Sequence, residues 1–359
     1  MTLNPYPLTL SNVVKEFRLR YNLFMQTQDG NWNLLGHEWA VDLLRGDLTQ
    51  GRIQHAYLIT GPQGVGRRTL AIRFSQALNC SQPVEPGIPC GDCRACKWIE
   101  RMQHPDLAVV QAEEGSSTLK VEQIRDLQRT LSLAPYESSY KIALLLRFEE
   151  ANPNAANALL KTLEEPPPQV VMLVTASDVE DLLPTIVSRC EVIRLRPLSL
   201  DLVSEGLQIR WGLSAEQARL LAHISGGRPG YAYKLSQNPD SLNQRQNQID
   251  DLFRLLAASR VERFAYAEQL STDKVIIQNT LETWLTVWRD VLLRSAGAIA
   301  SLTNIDREGE IEALCSKLSL TKAKQMVKTL ETTQIQLNLN TNTRLTLEVL
   351  MLDLPSLKF

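Results

Sequence analysis

Residues 56–60, AYLIT, form a short apolar run that leads directly into Gly61-Pro62-Gln63-Gly64-Val65-Gly66. The next residues place Leu70, Ala71, Phe74, Ala77 and Leu78 at helical spacing. Strand, glycine-rich loop and helix in that order are the frame of a phosphate-binding loop. There, glycines let backbone N–H groups wrap an anion, and the helix N-terminus adds positive potential. A glycine-rich turn that merely opens a helix is the alternative for so short a match, and the flanking strand and helix count against it.

The chain around this frame alternates. LAVV (107–110), KIALLL (141–146), VVMLVT (170–175) and EVIRL (191–195) read as further strands. Val121, Ile124, Leu127 and Leu131 mark one intervening helix, and residues 153–164 a second that Pro166–Pro168 stop. Strands alternating with helices predict a parallel five-stranded sheet covered on both faces, with ligands beyond the carboxyl ends of the strands. Pro197 closes this α/β domain, expected over 33–197. A small helical domain follows over 198–243, broken at Ser225–Gly230, and long amphipathic stretches fill 244–359. Residues 1–32 fit no part of this pattern and read as an N-terminal extension.

The frame is intact but its chemistry is not. A functional loop reads G-x-x-x-x-G-K-[ST]: the lysine reaches the β- and γ-phosphates and the hydroxyl holds magnesium. Here Arg67 stands at the lysine position, Arg68 replaces the hydroxyl, and Thr69 comes one place too late. Arginine keeps the charge but not the compact ammonium, and it does not ligate a metal. The strand that should end in magnesium-binding acids, Lys141–Leu146, runs instead into Arg147 and Phe148. Glu149 and Glu150 follow too late and read as solvated carboxylates. Anion binding at Gly61, Gly64, Gly66, Arg67, Arg68 and Thr69 is compatible with this loop, whereas hydrolysis is not.

Cys80, Cys90, Cys93 and Cys96 form C-x9-C-x2-C-x2-C. C-x2-C turns present two thiolates to one ion, and four cysteines leave no open coordination position, so the spacing points to a structural zinc module at 80–96. An iron–sulfur cluster is the other metal reading. Cys190 and Cys315 stand apart and read as small core residues. Trp211, Trp284 and Trp288 read as packing residues. With 44% hydrophobic residues, 22% charged and a net charge of −2, the chain does not coat nucleic acid by bulk charge. No apolar run reaches the ~18–20 residues needed to span a bilayer, and the first residues lack the pattern of a secretory signal. A cytoplasmic protein with no membrane partner is expected.

The stretch Asn157–Pro167 (NALLKTLEEPP), the tripeptide Ser188-Arg189-Cys190 and a cysteine module just after the loop helix occur together in one family. In these the chain resembles the clamp-loader subunits of bacterial DNA polymerase III, most closely over residues 33 to about 240. The resemblance implies an AAA+ P-loop domain with an inserted zinc module, a small helical lid and an all-α collar. Within the family, the gamma/tau motors keep the loop lysine, the hydroxyl and an Asp-Glu pair at the strand end. The departures at Arg67, Arg68, Leu146 and Arg147 are those of the delta-prime branch instead. That branch implies a subunit that does not hydrolyse ATP itself. Arg189 would act in trans as an arginine finger on ATP held by the neighbouring motor, with Ser188 and Cys190 positioning its loop. The partners implied are gamma/tau and delta subunits, and through the assembly the sliding clamp and primer-template DNA. Arg228 lies near the family's nucleotide-sensing position, but that position falls closer to Gly230, so the role is not carried over. Two other readings stand beside this one. A gamma/tau-like ATPase using Arg67 would hydrolyse ATP as a purified chain. A zinc-containing nucleic-acid-binding module would bind DNA alone, with a strong salt dependence.

Overall fold

The computed structural model describes residues 30–113, 118–339 and 341–357. Most of the N-terminal extension therefore lies outside the described residues. The chain divides into two compact units, one running to Leu213 and including Gly227–Tyr231, the other comprising Ser214–Gly226 and Ala232–Phe359.

The first unit is built on five strands: β1 (Ala56–Thr60), β2 (Leu107–Val110), β3 (Lys141–Leu145), β4 (Val170–Ala176) and β5 (Glu191–Arg194). All pair in parallel, in the order β2-β3-β4-β1-β5. Both faces are buried, which is why the strands read as continuous apolar runs rather than alternating ones. Tyr57, Ile59, Ile142, Leu144, Val171 and Leu173 face one core, together with Leu44 of α1 (Glu38–Thr49) and Leu70 and Phe74 of α2 (Arg67–Asn79). Their neighbours Ala56, Leu58, Ala143, Leu145, Met172 and Val174 face the other. That second layer is completed by Ile124 and Leu127 of α4 (Val121–Leu131) and Leu159 and Leu163 of α5 (Pro153–Glu164). The short helix α3 (Arg94–Glu100) follows the cysteine cluster. The parallel five-stranded α/β sheet covered on both faces is the one expected.

Local signals explain the element ends. Asn152 caps α5 by accepting from the Ala155 N–H at 2.8 Å, and Pro153 takes the first helical position, where its missing N–H is harmless. The prolines at 166–168 then forbid continuation. The short helix α6 (Pro184–Val187) precedes β5, and α7 (Leu200–Trp211) follows it. The unit begins earlier than the expected boundary at 33. Asn31 and Trp32 are buried, Trp32 stacks on Phe74 with ring centroids 6.0 Å apart, and its indole N–H donates to the Gly87 carbonyl at 2.7 Å.

The second unit is helical: α8 (Ala215–Ser225), the continuation of α9 (Pro229–Gln237), α10 (Pro239–Ala257), α11 (Arg260–Leu270), α12 (Lys274–Ser295), α13 (Glu308–Lys317), α14 (Leu320–Asn338) and α15 (Thr343–Asp353). Trp284 and Trp288 lie fully buried at its centre with Leu281, Leu314, Met326 and Leu350, in keeping with a packing role. Arg263 of α11 is buried and donates to five carbonyls: Leu255 and Leu256 at the end of α10, and Met351, Leu354 and Pro355 at the end of α15. One cation thus serves carbonyls at two helix C-termini, where the helix itself supplies few donors. Among the described residues, no helix is long and apolar enough to cross a membrane.

Candidate functional site

The glycine-rich loop lies beyond the carboxyl end of β1, where an open parallel sheet places its ligands. Gly61, Gly64 and Gly66 have φ of +143°, +85° and +120°, so the loop needs residues without a Cβ. Close approaches reinforce this. A Cβ on Gly61 would stand 2.3 Å from the Leu195 carbonyl oxygen, and one on Gly64 2.7 Å from the Tyr231 backbone. The Gly64 carbonyl is in turn engaged by the Gly230 N–H at 2.8 Å.

Arg67 opens α2 and is buried, with only 8% of its side chain exposed. Its Nη1 lies 3.8 Å from Glu149 Oε1. Ser177 Oγ donates to the same carboxylate oxygen at 2.7 Å. Arg67 Nη1 and Glu149 Oε2 are both buried and make no hydrogen bond. Burial lowers the Arg67 pKa, Glu149 opposes that shift, and Arg147 adds to it. The expectation that Glu149 and Glu150 are solvated is therefore corrected: their side chains are only 20% and 22% exposed. The cause is a chain reversal. Arg147 adopts the left-handed conformation at φ +52°, its N–H donates to Thr175 Oγ1 at 2.9 Å, and the 3₁₀ turn Phe148–Glu150 swings the carboxylates back beneath the strand ends. Burial raises the Glu150 pKa, and its carboxylate pairs with Arg147 at 3.2 Å.

A cavity of about 360 Å³ remains in front of the loop, bordered by Gly66, Arg67, Arg68, Thr69, Arg147 and Thr175. Arg68 and Thr69 are exposed, and Arg68 Nη2 approaches Met102 Sδ at 3.5 Å. Cations thus stand where a nucleotide site needs a metal-binding hydroxyl and acids, and the nearby carboxylates of Glu149 and Glu150 face Arg67 and Arg147.

The four clustered cysteines converge as their spacing predicts, with all Sγ atoms within 4.8 Å of one another. Cys80 follows α2 directly, Cys93 caps α3, and Cys96 lies in its first turn. Cys80 Sγ is 3.6 Å from Cys90 Sγ and 3.9 Å from Cys93 Sγ. Four sulfurs at ~2.3 Å from one tetrahedral ion would stand ~3.8 Å apart, and the two separations from Cys80 lie close to that value, so the donor set suits a tetrahedral metal. Backbone N–H groups already point at the sulfurs: Cys90 to Cys80, Cys93 to Cys90 and Cys96 to Cys93, at 3.3–3.4 Å. Burial works against ionisation of Cys93, yet the Cys96 N–H and the bonds from Ser81 and Cys96 outweigh it and bring the thiol to about 6. Burial raises Cys80 and Cys96.

Ser188-Arg189-Cys190 sits elsewhere. The tripeptide joins α6 to β5, and Glu191 pairs in register with Tyr57. Arg189 therefore stands level with the amino end of β1, whereas the loop lies past its carboxyl end. At ~3.3 Å per residue, the two are separated by on the order of 20 Å. Ser188 Oγ donates to the Thr185 carbonyl at 3.2 Å. Cys190 packs against the second core, and burial pushes its thiol up to about 12, which leaves it inert at neutral pH.

Comparison with known proteins places this arrangement. Two family models described as "DNA polymerase III, delta subunit" and its C-terminal part match residues 36–199 and 239–355. The DNA polymerase III subunit delta' of Pseudomonas aeruginosa is 34% identical over 251 residues, covering 68% of this chain and 74% of that protein. The chain belongs to the DNA polymerase III delta-prime family. The delta' subunit of Bacillus subtilis is 31% identical over 258 residues, covering 70% of this chain and 76% of that one. The related subunit gamma of Buchnera aphidicola (subsp. Acyrthosiphon pisum) is 26% identical over 341 residues, 91% of this chain and 90% of its own. Among solved structures, a gamma subunit-related protein of Thermotoga maritima superposes with a TM-score of 0.43 at 18% identity, covering 87% of this chain and 97% of that one.

The sequence pattern alone did not find the engagement of Glu149, the Gly230–Gly64 contact or the arginine cap at 263. The αL residue after β3 is the only signal that bears on the first, and it is a backbone feature no side chain advertises.

Proposed function

We propose that this delta-prime family member is a clamp-loader subunit that loads the sliding clamp onto primed DNA without hydrolysing ATP itself. It supplies Arg189 in trans to ATP held by a neighbouring gamma/tau motor. The observation that carries the reading is the placement of Arg189 at the amino ends of the strands, about a strand's length from its own loop. A finger so placed cannot serve the site of its own chain. The loss of lysine, hydroxyl and strand-end acids at that site supports the same division of labour. Arginine supplied across a junction stabilises charge on the transferring phosphoryl group, and Ser188 and Cys190 hold its loop. Reconstitution with the motor and delta subunits tests the reading: removing Arg189 must reduce hydrolysis while the assembly persists.

The helical unit would form the collar that joins the subunits. In support, Leu345, Val349 and Leu352 recur at i, i+4 and i+7 on α15 and are 58%, 57% and 52% exposed. An unpartnered apolar stripe of this kind suits a neighbouring helix. The bacterial cytoplasm is the proposed location, and contact with the clamp and primer-template DNA is made through the assembly.

The four cysteines would hold zinc as a structural ion. It would cross-link the end of α2 to the start of α3, and thiolates held by N–H groups would supply its ligands. One zinc per chain is expected by elemental analysis of the purified protein. Cys96→Ser is expected to release it and to expose residues 80–100 to proteolysis. Full retention of zinc in that variant would contradict the site.

A further inference from the structure

The Arg189 guanidinium is held from two directions. Nη1 donates to the Thr185 carbonyl at 2.8 Å and approaches Ser188 Oγ at 3.4 Å, and Nη2 donates to Glu164 Oε1 at 2.8 Å. Thr185 belongs to α6, immediately before the arginine. Glu164 is the last residue of α5, a helix anchored in the core through Leu159 and Leu163. The prolines that end α5 leave this carboxylate at a rigid terminus rather than on a loop. A cavity of about 520 Å³ opens beside the pair, bordered by Gln54, His55, Ser188 and Glu191.

We propose that Glu164 is a positioning residue for Arg189, an inference that rests on the reading of Arg189 as a trans-acting finger. A long arginine side chain loses much rotamer freedom when it engages a phosphate, and a partner that preselects one rotamer reduces that loss beforehand. The three contacts named use three of the five N–H donors, which leaves two for a ligand. The pair is weak enough to yield: Arg189 and Glu164 are 33% and 53% exposed, and pairs this wet contribute little to stability. Glu164 thus orients the finger without holding it back from phosphate oxygens.

A double-mutant cycle tests this in the full complex of this chain with motor and delta subunits, using ATP, clamp and primed DNA. Single-turnover hydrolysis at the adjoining motor site is the readout. Glu164→Ala is expected to slow it about fivefold, with the ATP concentration for half-saturation, the assembly and the melting temperature unchanged. Glu164→Gln keeps an acceptor oxygen at the same reach and is expected to restore most of the rate. In an Arg189→Ala background, Glu164→Ala is expected to have no further effect. A faster rate in Glu164→Ala would show a latch, and an additive loss in the double variant would show a general structural effect. Either result, or an unchanged rate, overturns the positioning role. Arg189→Ala without any loss would instead overturn the trans-finger reading beneath it.

Discussion

Replacing Arg189 with alanine is expected to slow ATP hydrolysis at the adjoining motor site by about 10³-fold or more, while gel filtration still shows an intact complex. The magnitude follows from trans-acting fingers in other phosphoryl-transfer systems, where removing the arginine costs 10³–10⁵ in rate. The variant should fold normally. Its partners are an exposed carboxylate and a nearby carbonyl, and an exposed ion pair contributes only ~0–1 kcal/mol. Ser188→Ala and Cys190→Ala are expected to be much milder. Ser188 donates to a local carbonyl, and Cys190 is a packed thiol pushed up to about 12 by burial, so neither is prepared for chemistry. A single-turnover measurement separates this site from the others in the complex. An unchanged rate would remove Arg189 from any active site and leave this chain as a scaffold.

Arg263→Ala is expected to destabilise the helical unit by about 3–5 kcal/mol, seen as a melting temperature lowered by roughly 10 °C or more. The side chain is 5% exposed and its five hydrogen bonds run to the carbonyls that end α10 and α15. Alanine takes their donor from the Met351, Leu354 and Pro355 carbonyls, at ~1–3 kcal/mol for each group that water cannot reach, while Leu255 and Leu256 keep the Ala258 and Leu357 N–H groups. It also removes a cation from two helix C-termini. Arg263→Lys keeps the charge but presents three donors from one point, and should recover only part of the loss. A shift of under 2 °C for the alanine variant would mean that the two helix ends are satisfied without it.

Much of the fold was legible because of one physical circumstance. A strand buried on both faces must be apolar throughout, and AYLIT, LAVV, KIALLL, VVMLVT and EVIRL all became strands within a residue of their expected ends. The zinc-type cluster was legible because C-x2-C spacing is local, and Cys93 and Cys96 meet across a single helical turn. Glu149 was misread because its reach depends on the left-handed residue at Arg147, a backbone event invisible in side-chain pattern. Trp32 was read as part of an extension because its partners, Phe74 and the Gly87 carbonyl, are distant in sequence. Arg263 looked like an ordinary helix charge for the same reason: its acceptors lie up to 92 residues away. The departures of the loop from the phosphate-binding pattern, Arg67 and Arg68, were legible residue by residue. What replaced its chemistry, an arginine facing the chain's own carboxylate, required the fold.

The most direct test of the central claim is hydrolysis by a complex in which every motor subunit carries Lys→Ala at its loop lysine while this chain is wild type. Turnover by this chain's own loop is then no longer masked by that of the motors. The account predicts no hydrolysis above background with clamp and primed DNA present, because Arg67, Arg68 and Arg147 stand where lysine, hydroxyl and acid are needed. Hydrolysis that persists in this complex, and disappears when Arg67→Ala is introduced here, would contradict it and make the chain a motor in its own right.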